Sequence, residues 1–224
     1  MGKKVVVLHT SFVFIERERM ILDLMAELLP DVALTHIVED TMLAQVREVG
    51  HITPVVTRRM CYYALAAEAM GADAIFNACS TLSPTMNAAR QIVNIPIVKI
   101  DEGMAEKAAT VGSRIGVLAT VPTTLDPVIG LIDEKAAALN KSVETKAGLA
   151  SGAFELLMTG EKARHDDMVV QKAKEVGKWA DTLVLAQASM ARLAPRVTAE
   201  TGLPVLSSPR LGVEYLKRVL EQGK

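Results

Sequence analysis

Two positions of the chain, Cys79 and Gln187, occupy the same place in an internal repeat but differ in chemistry. The segment 72–80 aligns without a gap on 180–188, an offset of 108 residues (79 to 187). A cysteine thiol can give and take a proton, whereas a glutamine amide does not titrate near neutral pH. A duplicated α/β unit is the simplest account of the repeat. The chain is therefore expected to have acid/base chemistry from one thiol only.

The repeat continues into the elements that must position these two side chains. The same offset carries 94–98 onto 202–206, and 5–10 answers 115–120 near the start of each half. Short runs rich in Val and Ile alternate with helical segments, as in a parallel sheet covered by helices. Strands are expected near 4–9, 32–38, 73–78, 96–100, 114–119, 142–146, 182–187 and 204–206. Helical spacing covers 14–28, 53–70, 101–111, 124–139, 161–179 and 208–221.

This pattern predicts an α/β fold of two pseudo-symmetric lobes, each a short, mostly parallel sheet flanked by helices, with a ligand cleft between them. The expected boundaries are 1–100 for the first lobe, 101–112 for a connection and 113–207 for the second lobe. The remaining segment, 208–224, is expected to be a helix that packs back on the first lobe.

Small polar side chains gather where the predicted strands end. Ligands of open parallel sheets bind outside the carboxyl ends of the strands, where loops lead into positive helix N-termini that suit a carboxylate. The same residue types also cap helices, so both interpretations stay open. The candidates for substrate binding are Thr10, Ser11, Asn77, Ser80, Thr81, Thr120, Thr123, Gln187 and Ser189, and Ser207 and Ser208 follow the last strand.

Composition excludes several classes of partner. A net charge of −1 and a pI near 6.4, with no basic stripe, argue against a nucleic acid or an anionic membrane surface. No apolar run approaches the roughly 18 residues of a spanning helix. Only two cysteines occur, without signs of a disulfide framework. This usage indicates a reducing compartment, and the cytoplasm is the expected location.

Other reactive side chains have simpler interpretations. Cys61 lies in the middle of a predicted helix, where a free cysteine behaves as a small hydrophobe. His9 ends the first strand and is either a base or a histidine satisfied by local contacts. His165, with Asp166 and Asp167, is expected on a solvated helix surface. No spacing of His, Cys, Asp and Glu matches a metal site, and no glycine-rich nucleotide motif is visible, so neither metal nor cofactor is expected.

Three motifs, in order, resemble those of the aspartate/glutamate/hydantoin racemase superfamily, which also contains maleate isomerase and arylmalonate decarboxylase. The segment 77–81 (NACST) looks like the first cysteine motif. The segment 114–120 (RIGVLAT), followed by Thr123, looks like the opening of the second lobe. Residues 185–191 lie where the second cysteine motif normally occurs. The resemblance covers nearly the whole chain.

The resemblance implies a cofactor-independent homodimer in which one cysteine on each side of the substrate's α-carbon moves a proton. It assigns the first acid/base position to Cys79 and the second to Gln187. A two-thiol racemisation is therefore not expected. The pattern is also the inverse of arylmalonate decarboxylase, which keeps the second cysteine and lacks the first. Gln187 is expected to donate a hydrogen bond to a carboxylate.

The expected function is a racemase or isomerase of this superfamily that acts next to the carboxylate of a small organic acid with one thiol. Ser80, Thr81, Thr120 and Thr123 would hold the carboxylate and its developing charge. One alternative is a decarboxylase in which Cys79 is the proton donor, which needs no second acid/base group. Another is a non-catalytic carboxylate-binding protein. No carboxylate in the predicted loops is an obvious partner for a substrate ammonium.

Overall fold

The computed structural model describes residues 2–16 and 18–223. Eight strands lie within this part of the chain: β1 (Lys4–His9), β2 (Ala33–Val38), β3 (Ala74–Asn77), β4 (Ile97–Lys99), β5 (Arg114–Ala119), β6 (Glu144–Leu149), β7 (Thr182–Leu185) and β8 (Val205–Ser207). The helices are α1 (Val13–Glu16), α2 (Met20–Leu28), α3 (Met42–Val49), α4 (Pro54–Ala69), α5 (Thr85–Ala89), α6 (Glu102–Val111), α7 (Leu125–Ala138), α8 (Ala153–Met158), α9 (Lys162–Gly177), α10 (Ala194–Thr201) and α11 (Ser208–Gln222). Two 3₁₀ segments span Pro122–Thr124 and Ala188–Leu193.

The strands form two four-stranded parallel sheets with the same topology. The first has the order β2-β1-β3-β4 and the second the order β6-β5-β7-β8. Val5 pairs with Ala74 in the first sheet, and Ile115 pairs with Thr182 in the second, so the repeat extends to the register of the strands. The predicted α/β class with two repeated parallel sheets is confirmed.

Contacts between residues divide the chain into two compact units. Unit 1 contains residues 1–103 and 209–224, and unit 2 contains residues 104–208. In each unit the two central strands are buried, β1 and β3 in the first, β5 and β7 in the second. Side chains of β3 and α4 share one core cluster, and those of β7 and α9 share another. The carboxyl ends of β3 and β7 are thus held by packed cores.

The helix α11 approaches the end of β4 very closely. A side chain at Gly103 would place its Cβ 2.0 Å from the Leu211 carbonyl oxygen, and one at Gly212 would lie 2.3 Å from the Ile100 carbonyl oxygen. Glycine is required at both positions because any Cβ would overlap the other backbone. The segment 100–103 is therefore clamped by α11 within unit 1.

Several predicted elements differ from those observed. The single helix expected over 14–28 is divided into two helices, α1 and α2. Between them, Glu18 and Arg19 are not helical, and Arg17 lies outside the described residues. The strand expected at 142–146 lies at Glu144–Leu149; its position at a sheet edge leaves a weak apolar pattern. The helices α3, α8 and α10 were not predicted, since eight residues or fewer show little periodicity.

Within residues 2–16 and 18–223, none of the helices combines the length and the apolar character that a membrane-spanning helix needs.

Candidate functional site

The loop after β3 brings several predicted site residues together in unit 1. Asn77, the last residue of β3, is fully buried, and its Nδ2 donates to the Cys79 carbonyl oxygen (2.9 Å) and to Ser83 Oγ (3.3 Å). Ser83 Oγ also donates to the Cys79 carbonyl oxygen (3.2 Å). These bonds tie the backbone of Cys79 to the end of the strand. Asn77 Oδ1 has no hydrogen-bond partner among the described residues.

The sulfur of Cys79 is surrounded by hydrogen-bond donors. The Thr10 side chain and the backbone N–H groups of Thr81 and Leu82 all hydrogen-bond to it. Burial raises the pKa of the thiol, the three donors lower it, and the negative charge of Asp101 raises it; the net shift is upward. The side chain is therefore a thiol at rest, with donors already aimed at the thiolate that forms when it gives up a proton.

Asp101, which the sequence analysis did not identify, contacts this loop through Ser80. The residue is fully buried at the end of β4, and its Oδ1 accepts a hydrogen bond from Ser80 Oγ (2.9 Å). The Ser83 hydroxyl is 3.5 Å from Oδ2. The internal repeat could have found it, since the end of β4 corresponds to the end of β8, where Ser207 closes the strand and Ser208 begins α11.

The predicted hydroxyl residues of unit 1 divide into two groups. The Thr10 side chain hydrogen-bonds to the Cys79 sulfur, and so does the backbone N–H of Thr81. Ser80 donates instead to Asp101. Ser11 lies elsewhere: its Oγ accepts a bond from the backbone N–H of Val13 (3.1 Å) at the start of α1. That bond to the residue two positions on is a serine turn at the start of α1, so the role of Ser11 is local.

In unit 2, Gln187 occupies a nest of donors after β5. Its Oε1 accepts hydrogen bonds from the backbone N–H of Thr120 (2.6 Å), the Thr120 hydroxyl (3.0 Å) and the backbone N–H of Val121 (3.2 Å). Because all three donors need an acceptor, the network identifies this atom as the carbonyl oxygen. The Nε2 amide group donates to none of the described residues. Because Oε1 is held by three bonds, Nε2 is a donor whose direction is fixed.

The other candidates of unit 2 make fewer contacts. Thr123 Oγ1 is buried without a hydrogen-bond partner in the described part of the chain, and the same holds for Ser208 Oγ. Ser189 is half-buried in the 3₁₀ segment that follows Gln187. Of these three, Thr123 lies closest in sequence to the nest formed by Thr120 and Val121 and retains a free hydroxyl for a ligand.

His165 is not on a solvated surface, and that prediction is wrong. The residue is fully buried, its Nδ1 lies 2.7 Å from Asp166 Oδ1, and Arg192 binds both oxygens of Asp166 at 2.5 Å. Burial alone would raise the pKa of Asp166, but the hydrogen bonds from Arg192 and His165 lower it. Arg192 belongs to the 3₁₀ segment after Gln187, so this network supports that loop.

His9 and His36 form a pair at the ends of β1 and β2. His9 Nε2 lies 3.1 Å from His36 Nδ1, while His9 Nδ1 is buried and has no partner in residues 2–16 and 18–223. Burial, and next the charge of His36, lowers the pKa of His9 to about 4; burial also lowers the pKa of His36. His9 is therefore neutral near pH 7.

Acid is expected to destabilise the protein through His9. Its pKa is lower in the folded chain than in the unfolded chain, so only the unfolded chain takes up the proton as the pH falls below about 6.5. The free energy of unfolding should therefore fall by about 1–2 kcal/mol between pH 7.5 and pH 5 from this group. Urea denaturation at both pH values measures it. His9→Gln should reduce the difference, and an undiminished difference would exclude His9 as its source.

Two surface grooves lie away from these residues. One, of about 650 Å³, is lined by residues of β6 and α9 such as Leu149 and Lys172; the other, of about 450 Å³, is lined by Arg90, Ile97 and Tyr215 among others. Neither is lined by Cys79 or Gln187. No group of His, Cys, Asp and Glu within the described ranges could hold a metal ion.

Comparison with known proteins connects this chain to one family. A family model described as Asp/Glu/Hydantoin racemase matches residues 56–216. A hydantoin racemase of Rhizobium meliloti is 26% identical over 159 residues, which cover 70% of this chain and 64% of that protein. A hydantoin racemase of Pseudomonas sp. (strain NS671) is 24% identical over 163 residues, 70% of this chain and 62% of that protein. The match thus spans less than two thirds of the length of both relatives.

Solved structures share the fold. A glutamate racemase from Bacillus anthracis superposes with a TM-score of 0.75 at 16% identity, covering 99% of this chain and 82% of that one. An allantoin racemase from Klebsiella pneumoniae gives a TM-score of 0.70 at 17% identity, with 99% and 89% covered. At these identities the likeness establishes the architecture, and the chemistry must be argued from this chain's own residues.

Proposed function

Because the chain belongs to the Asp/Glu/hydantoin racemase family, we propose that it is a cofactor-independent enzyme of racemase or isomerase type, with one catalytic thiol. It acts at the carbon next to the carboxylate of a small organic acid. The observation that carries the proposal is the environment of Cys79, whose buried sulfur receives hydrogen bonds from Thr10, Thr81 and Leu82. Three donors around a buried thiol stabilise the negative charge that the sulfur carries as a thiolate.

Cys79 is the proposed acid/base group. In racemisation the α-proton leaves on the opposite face and an enediolate forms, and the Cys79 thiol then gives its proton to that carbon. Negative charge develops on sulfur, and the N–H groups of Thr81 and Leu82 stabilise it together with the Thr10 hydroxyl. The reverse transfer returns the proton to sulfur. Racemisation then needs a second proton carrier on the opposite face of the carbon. Gln187 does not titrate near neutral pH, so we assign that step to water.

Gln187 is the proposed orienting residue. Its carbonyl oxygen is held by Thr120 and Val121, and its Nε2 points a donor away from that anchor. We propose that this amide binds the carboxylate of the substrate. Thr123, whose hydroxyl has no partner in the described chain, is proposed as a second contact. The donors at Thr120 already bind Gln187, so that residue acts through the glutamine.

Decarboxylation is the second candidate, favoured by the protonated state of Cys79 together with the amide at position 187. Loss of CO₂ from a substituted malonate leaves an enediolate, whose α-carbon then takes the proton from the Cys79 thiol. The resulting thiolate regains a proton from water. This sequence needs one acid and no base on the opposite face. Protonation from one face predicts a single enantiomer.

The test is incubation in D₂O with small mono- and dicarboxylic acids, including amino acids, maleate and substituted malonates, followed by NMR. Exchange of the α-proton or isomerisation, without CO₂, is the expected result. CO₂ release with deuterium on one face would instead establish the decarboxylase. Cys79→Ala is the inactive control, and Cys61→Ala the matched control for loss of a thiol elsewhere. Binding of a carboxylate without turnover above the Cys79→Ala level would replace the enzyme by a binding protein.

We extend the proposal to a cytoplasmic homodimer. Both cysteines are free, which supports a reducing compartment. The dimer rests on the family resemblance. Analytical ultracentrifugation tests it, and a monomer at micromolar concentration would refute it.

A further inference from the structure

Asp101 is a buried carboxylate that the proposed reaction does not use. It lies at the carboxyl end of β4, immediately before α6, with none of its surface exposed. Burying a carboxylate costs several kcal/mol unless hydrogen bonds or charges compensate. Two of its neighbours belong to the loop around Cys79: Ser80 donates to Oδ1 at 2.9 Å, and the Ser83 hydroxyl is 3.5 Å from Oδ2.

The backbone around Asp101 is rigid. Gly103 and Gly212 bring α11 so close to residues 100–103 that a Cβ at either glycine would lie within 2.3 Å of a carbonyl oxygen. Because the two backbones are in contact at these glycines, residues 100–103 cannot shift without moving the whole of α11. The carboxylate is therefore a fixed point to which the loop after β3 is attached.

That attachment encloses the two residues that face the sulfur. Ser80 and Ser83 stand at the two ends of a turn, and Thr81 and Leu82 between them direct their N–H groups to Cys79. The turn is closed by a bond from the Ser83 N–H to the Ser80 carbonyl oxygen (3.2 Å). Asp101 holds the Ser80 hydroxyl, and the Ser83 hydroxyl holds the Cys79 carbonyl oxygen. Both ends of the turn are therefore tied, which fixes the direction of the two N–H donors.

We propose that Asp101 is a positioning residue for Cys79, because its carboxylate accepts the Ser80 hydroxyl and so anchors the Ser80–Ser83 turn. The inference deepens the proposed function and rests on it, because in that function the Cys79 sulfur begins the cycle as a proton donor. Two effects of Asp101 on the sulfur oppose each other. The anchored N–H groups stabilise the thiolate, whereas the buried charge destabilises it and raises the pKa of the thiol.

Other charged groups lie close to Asp101 along the chain. Lys99 and Glu102 are both buried; Glu102 is held by Arg90 (2.8 Å) and by the backbone N–H of Lys99 (3.0 Å). His9, beside Thr10, is neutral above pH 6 because its pKa is about 4. Asp101→Asn leaves all of these groups in place.

The test measures the pH dependence of Cys79 alkylation by iodoacetamide in a Cys61→Ala protein, followed by mass spectrometry. Asp101→Asn keeps an acceptor for Ser80 but removes the charge. The midpoint of the alkylation profile should fall by about one pH unit, and the rate at pH 7 should rise about tenfold. Glu102→Gln, which neutralises the neighbouring buried carboxylate, is the matched control and should leave the midpoint unchanged. An unchanged or higher midpoint in folded Asp101→Asn overturns the inference.

A second variant acts in the opposite direction. Ser80→Ala with Ser83→Ala leaves the charge but releases the turn, so the thiolate loses aligned donors and the midpoint should rise by about half a unit. This variant decides the question if Asp101→Asn does not fold, and an unchanged or lower midpoint refutes the anchoring role. Alkylation requires no substrate. The result is therefore independent of the D₂O assay, and failure of the proposed function would be recognised separately.

Discussion

Replacement of Cys79 by alanine is expected to lower kcat/KM at least about 10³-fold, because a positioned acid/base group contributes roughly 10²–10⁴-fold and the chain has no second thiol at the equivalent position. Cys79→Ser should be nearly as inactive. A serine hydroxyl can retain the bonds to Thr10, Thr81 and Leu82, but it is a far weaker acid than a thiol and does not supply a proton to carbon near neutral pH. The measurement is α-proton exchange in D₂O on whichever acid the wild-type protein turns over.

Cys61→Ala is the matched control for this prediction. Cys61 is half-buried in α4 and packs against the core of unit 1, so its removal tests the loss of a thiol without touching the loop after β3. Its activity should remain within about twofold of wild type. Exchange by Cys79→Ala within tenfold of wild type, in a protein with an unchanged Tm, would show that the thiol is not the acid/base group.

The fold could be predicted from the sequence because the repeat and the buried strands leave strong local signals. The strands β1, β3, β5 and β7 are each almost wholly buried, so each appears as a short apolar run. Edge strands and short helices lack that signal. β6 has exposed residues along its length and was placed two residues early, and α3 contains only eight residues.

The site was less predictable, because its geometry depends on contacts between distant parts of the chain. The repeat identified Cys79 and Gln187 by aligning two strand ends. It could not show that Gln187 Oε1 binds the N–H groups of Thr120 and Val121, some 67 residues away. Asp101 carries no local motif, and its hydrogen bond with Ser80 joins residues 21 positions apart. His165 lies among charged residues in the sequence, yet it is buried, with its Nδ1 against Asp166, which Arg192 holds in turn.

Gln187 offers the sharpest test of how a carboxylate is recognised, because its two amide atoms have separate roles. Oε1 accepts three hydrogen bonds within unit 2, and Nε2 is the proposed donor to the substrate. Gln187→Glu keeps the length and the acceptor oxygen but replaces the N–H group by a second negative oxygen. Gln187→Met keeps the length and loses both functions. The pair separates anchoring from substrate binding.

We expect Gln187→Glu to raise KM, or the Kd of a carboxylate ligand, at least about 100-fold, since a donor is lost and a like charge faces the substrate. Its Tm should equal or exceed that of wild type, because a carboxylate is a stronger acceptor for the Thr120 and Val121 N–H groups. Gln187→Met should bind poorly and also lose about 1–3 kcal/mol of stability, because it leaves those donors unpaired. Calorimetry of ligand binding and thermal unfolding measure both quantities. Near-normal binding by Gln187→Glu would mean that the amide does not contact the carboxylate and that position 187 serves only to hold the loop after β5.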